Sequence, residues 1–181
     1  MPNWCWNHLE VTGDEKQLQE FVEKSVSIHE ESDHCFSFEG TLPRGDRKDW
    51  YEWSIENWGT KWDACEPNID HNDIDYFAVS FETAWSPPIA WIENIMKDFP
   101  GLQFTLEYEE SGMCFGGRLF AQHKKVFEDN HWDLDSASEC CEAEVSLDDD
   151  EPKCLVCGEE TETISINVAN IKPAKIKVNE N

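Results

Sequence analysis

Two groups of residues in this sequence have types and spacings suited to chemistry. The first is Cys154-Leu155-Val156-Cys157-Gly158, whose two-residue spacing lets both thiolates, with the backbone N–H groups that follow, wrap one zinc ion. One such pair is half of a tetrahedral site. The other half would come from Cys141 or Cys140 and from His131 or His123, a set of three cysteines and one histidine around a structural zinc. Two further readings stay open for the same residues. One is a reduced thiol pair without metal; the other is a redox dithiol, for which the helix start of a thioredoxin-type motif is missing.

The second group is Trp58-Gly59-Thr60-Lys61-Trp62-Asp63, with Trp85 and His8 as further candidates. It joins a cation and a carboxylate to large aromatic surfaces, the composition that lines small-ligand and partner pockets. The plainer reading is preferred: the tryptophans fill the gap between an inserted helix and a sheet, and Thr60, Lys61 and Asp63 fix the turn after Gly59. On that reading Trp62→Ala costs roughly 3 to 5 kcal/mol. His8 is read as a surface or packing histidine. Glu107, Glu109 and Glu110 read as a solvated strand face and turn, although acid pairs do general acid–base work when their pKa values split. No nucleophile elbow, phosphate loop or HExxH motif is present.

The elements that position these residues follow from periodicity. Trp4 to Val11 alternates, with Leu9 and Val11 on one face and Trp4, Trp6, His8 and Glu10 on the other, so a strand is predicted. Asp14 opens an amphipathic helix through Leu18, Phe21, Val22 and Ser25. Cys35 to Phe38 reads as a short edge strand after a polar stretch. Asp46 is the expected cap of a helix carrying Trp50, Tyr51, Trp53, Ile55 and Trp58, whose aromatic stripes should pack on something. An extended stretch over Lys61 to Cys65 and a polar loop to Asp73 come next. Strands are predicted over Ile74–Thr83 and Leu102–Tyr108, with a helix started by Ser86-Pro87-Pro88 between them. A hairpin partner covers Met113 to Phe120. Asp135 to Glu151 reads as a solvated acidic linker, and Thr163 to Val168 as a terminal edge strand.

Composition limits the partners. The chain has 181 residues, enough to bury a core with its 9 Trp and 10 Phe, so it should fold without disulfides. Acidic residues number 39 against 14 basic, a net charge of -25, which argues against broad nucleic-acid binding and favours a partner with a basic surface. The eight cysteines, without a secretory pattern ahead of them, are expected as reduced thiols or metal ligands in the cytosol. No apolar run approaches the ~18 to 20 residues of a membrane span.

Several blocks resemble the YubB-type ferredoxin-like proteins of bacteriophages, conjugative plasmids and their bacterial hosts. They are Met1-Pro2-Asn3-Trp4-Cys5 with Asn7 and Gly13, Trp50-Tyr51-Glu52-Trp53, Trp58-Gly59-Thr60-Lys61-Trp62-Asp63-Ala64, Phe81-Glu82-Thr83-Ala84-Trp85-Ser86-Pro87-Pro88 and Tyr108-Glu109-Glu110-Ser111-Gly112. They cover residues 1–123 in order. The resemblance implies an α+β fold: a ferredoxin-like antiparallel sheet with helices packed on one face, an inserted Trp-rich helix, and an acidic cysteine-containing C-terminal extension. It implies no activity and no iron–sulfur cluster. Arg44-Gly45 departs from the proline-containing loop expected there, and the tail after Lys125 has no counterpart.

The chain is therefore expected to comprise a ferredoxin-like domain over 1–125 and an acidic extension over 126–181 with a zinc knuckle as one reading. The expected function is a non-enzymatic accessory protein of a phage or mobile element that binds a host or phage protein with a basic surface, in the narrower form as an acidic mimic of nucleic acid. The alternative is a small-ligand-binding protein or enzyme using the tryptophan-lined site around Lys61 and Asp63.

Overall fold

The computed structural model describes residues 3–29, 32–138, 145–146, 153–154 and 163–167. Strand β1 (Trp4–Gly13) buries Cys5, Asn7, Leu9 and Val11 and turns Trp4, Trp6, His8 and Glu10 outward, as its period of two requires. Asp14 caps helix α1 (Glu15–Ser25), its Oδ1 accepting the backbone N–H of Gln17 at 3.0 Å, and the helix buries Leu18, Phe21 and Ser25.

The polar stretch after α1 contributes to two paired strands. Strand β2 (Val26–His29) pairs antiparallel with β3 (Ser32–Phe36) in a separate two-stranded sheet. The edge strand expected through Phe38 stops at Phe36, and Phe38–Gly40 forms a 3-10 turn capped by the Ser37 hydroxyl. Both phenylalanines are fully buried. Spacing alone cannot tell two alternating residues of one strand from two residues that enter the core on either side of a bend.

Helix α2 (Trp50–Asn57) starts after Asp49, later than the expected cap at Asp46. Only part of its aromatic stripes finds an apolar partner: Trp58 is fully buried against Phe38 and Trp53, whereas Trp50, Tyr51 and Ile55 are exposed. Arginines lie on the rings instead. The Arg44 guanidinium is 5.6 Å from the Trp50 ring and 5.1 Å from that of Trp58, and Arg47 is 4.7 Å from Trp53. A cation on an indole face satisfies a ring at the solvent boundary.

Strand β4 (Cys65–Asn72) occupies the stretch read as a polar loop. It lies at a sheet edge, pairs with β5 (Tyr76–Ala84) and carries two register shifts. Backbone pairing holds an edge strand without an apolar face, which is why its pattern is silent. Ser86 does not cap helix α3 (Ile89–Ile95); its hydroxyl donates to the carbonyl of Gly59 at 2.6 Å, and the helix begins after Pro88 without a side-chain cap. Gly59 has φ +82, and a Cβ there would lie 3.3 Å from both the Pro87 carbonyl and the Ala90 nitrogen, so glycine suits this crossing.

Strands β6 (Leu102–Glu110), β7 (Phe115–Gln122) and β8 (Lys125–Ser138) follow. The order is β8-β7-β6-β1-β5-β4, with β1 antiparallel to both β5 and β6. Strand β8 runs into the segment read as linker, through Asp135 to Ser138. Helices α1 and α3 cover one face. The Phe21 ring meets Phe77 at 6.0 Å and Phe104 at 5.9 Å edge-on, while Trp91 joins it to Phe36 and Phe38.

Residues 1–113 and 117–131 form one compact unit; 114–116 and 132–181 form another. In the second, β9 (Val145–Ser146) pairs antiparallel with β10 (Lys153–Cys154), and Leu134–Ser138 of β8 pairs antiparallel with β11 (Thr163–Asn167), the strand predicted there. Among the described residues no helix is long and apolar enough to cross a membrane.

Candidate functional site

The sheet face opposite the helices carries the polar chemistry of the first unit. Because β1 lies between β5 and β6, its outward residues from Trp6 onward have a neighbour on both sides: His8 stands between Ser80 and Glu107, and Trp6 between Glu82 and Glu109. These two rows differ in charge balance. In the His8 row, Arg118 Nε is 3.7 Å from Glu107, and His8 Nδ1 is 3.4 Å from Asp70. In the Trp6 row, neither Glu82 nor Glu109 has an ion-pair partner among the described residues.

His8 was a candidate pocket residue and lies in its own polar chain, stacked on Trp6 at 6.1 Å. The Ser80 hydroxyl donates to Asp70 Oδ2 at 2.6 Å, and His8 Nδ1 is 3.0 Å from the same hydroxyl oxygen. Since that hydrogen goes to the carboxylate, Nδ1 is assigned as the donor to Ser80. Nucleophilic catalysis needs the imidazole between carboxylate and hydroxyl. Here the hydroxyl is in the middle, so the arrangement orients the histidine and activates no serine.

At the Trp6 row the surface is concave. A cleft of ≈ 530 Å³ is lined by Trp4, Trp6, Glu82, Glu109 and the turn after β6. The buried Glu110 carboxylate accepts the backbone N–H groups of Gly112 at 3.0 Å and Met113 at 2.5 Å and so shapes that turn. Gly112 lets it close on Asn3, whose side-chain nitrogen would be 2.8 Å from an added Cβ. Ser111 donates to Glu109 Oε1 at 3.1 Å. Trp4 and Trp6 remain 37% and 46% exposed, unusual for large aromatic side chains on a strand. Another concavity, ≈ 600 Å³, lies along α1 with Leu18, Val22 and Ile74, but it has no aromatic wall.

The residues that sequence groups into one pocket separate. Trp58 is fully buried, with its indole N–H donating to the Leu42 carbonyl at 3.1 Å, and belongs to the core. Asp63 is engaged as a cap: Oδ1 accepts the N–H of Phe38 and of Ala64, both at 2.7 Å, and Oδ2 accepts from the Ser37 hydroxyl at 2.7 Å. Lys61, Trp62 and Trp85 do come together. The Lys61 ammonium is 4.5 Å from the Trp62 ring, 5.1 Å from Trp85 and 5.9 Å from Tyr51. The candidate cation is thus already matched with rings of its own chain. Trp85 holds φ +69, a conformation rare for a bulky residue, and its N–H donates to the Asn3 carbonyl at 3.0 Å. Trp4, 6.0 Å from Trp62, links this cluster to the cleft.

Sequence does not single out Glu82 or the pairing of Trp6 with two carboxylates. The readable signal was a strand whose polar face carries Trp4 and Trp6; which acids flank them is a matter of tertiary register.

Of the zinc candidates, Cys141 and Cys157 lie outside the described residues, and His131 and Cys154 are described by backbone only, in β8 and β10. Among the described residues no group of three or more His, Cys, Asp or Glu is placed to hold a metal. Cys5, Cys35 and Cys65 are free thiols. Burial pushes the Cys5 thiol up to about 12, and burial together with the Asp63 and Glu82 carboxylates raises that of Cys65. Neither is poised as a thiolate nucleophile.

The architecture is similar to a solved structure described as a protein api92 from Yersinia pseudotuberculosis, with TM-score 0.53 and 8% identity over 73% of this chain and 98% of that one. At that identity the likeness concerns the fold. Among curated proteins nothing matches the chain. Residues 57–151 match the family model described as the ferredoxin-like domain in Api92-like protein. That span runs from the end of α2 through β4, β5, α3, β6, β7 and β8 and takes in just over half of the sequence. This chain belongs to that ferredoxin-like family.

Proposed function

We propose that the chain is a non-enzymatic accessory protein that binds a partner protein, taking a basic segment of it across the tryptophan face of the sheet. The observation that carries this reading is the Trp6 row, where an exposed indole stands beside Glu82 and Glu109 and neither carboxylate forms an ion pair among the described residues. A charge of -25 supports it by steering a basic partner toward the protein from a distance. In the narrower form, the carboxylates stand in for phosphates and the chain occupies a nucleic-acid-binding groove of its partner. The reading includes an origin in a phage or other mobile element, for which the support is the resemblance of blocks from Met1-Pro2-Asn3-Trp4-Cys5 to Tyr108-Glu109-Glu110-Ser111-Gly112 to YubB-type proteins.

The test is a titration of the full chain with a short basic peptide, followed through the indole N–H resonances. Resonances of Trp4 and Trp6 should shift saturably, and affinity should fall as salt is raised. The double variant E82Q/E109Q should bind at least tenfold more weakly with an unchanged unfolding midpoint. Equal affinity in that variant would place the binding elsewhere and overturn the reading.

A further inference from the structure

Two sites in this chain complete the same trio of indole, carboxylate and guanidinium. Arg44 is stacked near Trp50 and Trp58 with its Nε 3.8 Å from Glu39. Arg47 lies 4.7 Å from the Trp53 ring with its Nε 3.3 Å from Asp49. The Trp6 row has two members of that trio. Trp6 offers a 46% exposed ring, and Glu82 and Glu109 flank it on neighbouring strands, each about 4.8 Å away in backbone spacing. The guanidinium is the missing member.

We infer that the cleft formed by Trp4, Trp6, Glu82 and Glu109 is an arginine site, filled by an arginine side chain of the bound partner. The inference rests on the proposed partner-binding function and specifies the side chain that the partner inserts. Geometry favours arginine over lysine. A guanidinium is planar, lies flat on an indole and still directs a fork of N–H donors at a carboxylate at the ring's edge, and it is more weakly hydrated than an ammonium. A lysine ammonium is a strongly hydrated point charge and must choose between ring face and carboxylate. The carboxylates on the two sides of Trp6 let the fork point either way along the row. Ser111 holds one oxygen of Glu109, and Glu110, turned inward on the Gly112 and Met113 N–H groups, closes the end of the cleft. The single Trp4 and Trp6 side chains on one face of β1 give the arginine stem an apolar wall.

The experiment compares three peptides of one length and backbone, carrying two arginines, two lysines or two citrullines, each titrated into the full chain at fixed ionic strength by calorimetry and by indole resonances. The arginine peptide should bind at least tenfold tighter than the lysine peptide, and the citrulline peptide should not bind measurably. In Trp6→Leu the arginine preference should shrink to less than threefold, while in E82Q/E109Q both cationic peptides should weaken; unfolding midpoints establish that each variant is folded. Equal binding of arginine and lysine peptides, with both lost in E82Q/E109Q, overturns the arginine assignment and leaves the basic-partner reading standing. Arginine preference retained in Trp6→Leu also overturns it. Cationic peptides that bind the wild type no better than E82Q/E109Q overturn the partner-binding reading, and the arginine site with it.

Discussion

Asp63 accepts the backbone N–H of Phe38 at 2.7 Å from 25 positions further along the chain. The same carboxylate holds the Ser37 hydroxyl and the Ala64 N–H, so it ties the segment after α2 to the 3-10 turn that follows the small hairpin. A residue that sequence offers as a pocket acid is thereby a structural clamp.

Asp63→Ala should therefore lower stability by about 1 to 3 kcal/mol, the usual loss when a carboxylate with several N–H and hydroxyl donors is removed. Urea denaturation reads the change. Basic-peptide affinity of the folded variant should match the wild type, since Asp63 does not line the cleft; a lost affinity with unchanged stability would return Asp63 to the binding site.

The large aromatic loss moves from Trp62 to Trp58. Trp58 is fully buried and its indole N–H is bonded to Leu42, so Trp58→Ala should cost roughly 3 to 5 kcal/mol. Trp62 is half-buried, beneath Lys61 and between Trp4 and Trp85, and Trp62→Ala should cost about 1 to 2 kcal/mol. Denaturation midpoints of the two variants, side by side, check the order.

Sequence legibility tracks how much of each element's role is local. β1, α1, β5 and β6 were readable because burial imposes a period on Leu9 and Val11, on Leu18 and Phe21, and on Phe104 and Leu106. β4 was not, since an edge strand of polar residues is held by the backbone of β5. Ser86 had the right type for a cap, yet a carbonyl of another segment, that of Gly59, took its hydroxyl. For the site, Trp4, Trp6 and His8 could be placed on one outward face from alternation. Their partners Glu82, Glu109 and Ser80 follow only from which strands sit beside β1.

Alkaline pH should expose the buried thiol of Cys5. In the unfolded chain the thiol ionises from its ordinary 9.0, whereas in the folded protein burial pushes it up to about 12. The folded state thus binds more protons between those values, and stability falls as pH rises through that window, by at most about 1.4 kcal/mol per pH unit from this group. Below pH 9 the contribution is fully present. Under reducing conditions, the difference in unfolding free energy between wild type and Cys5→Ala should shift with this sign from pH 8.5 to 10.5; a difference independent of pH would refute it.

The zinc reading of Cys154, Cys157, Cys141 and His131 predicts about one equivalent of metal in protein purified without chelator, released by Cys154→Ser and bound more weakly as pH falls and protons compete for sulfur. Elemental analysis separates it from the two thiol readings, which predict no metal and eight titratable thiols once the chain is reduced and unfolded.

The place of β1 has a kinetic consequence. Its neighbours are the ninth decade of the chain on one side and the eleventh on the other: Trp6 pairs with Glu82 and with Glu109. Strand β1 is thus synthesised well before either of its flanks, and each pairing closes a loop of many tens of residues before it is rewarded. Local helix formation in α1 can precede it, but the sheet cannot. During synthesis the chain therefore carries Trp4 and Trp6 on a strand whose two edges are still open, so the indoles exposed in the finished protein are exposed together with unpaired backbone until β5 and β6 arrive.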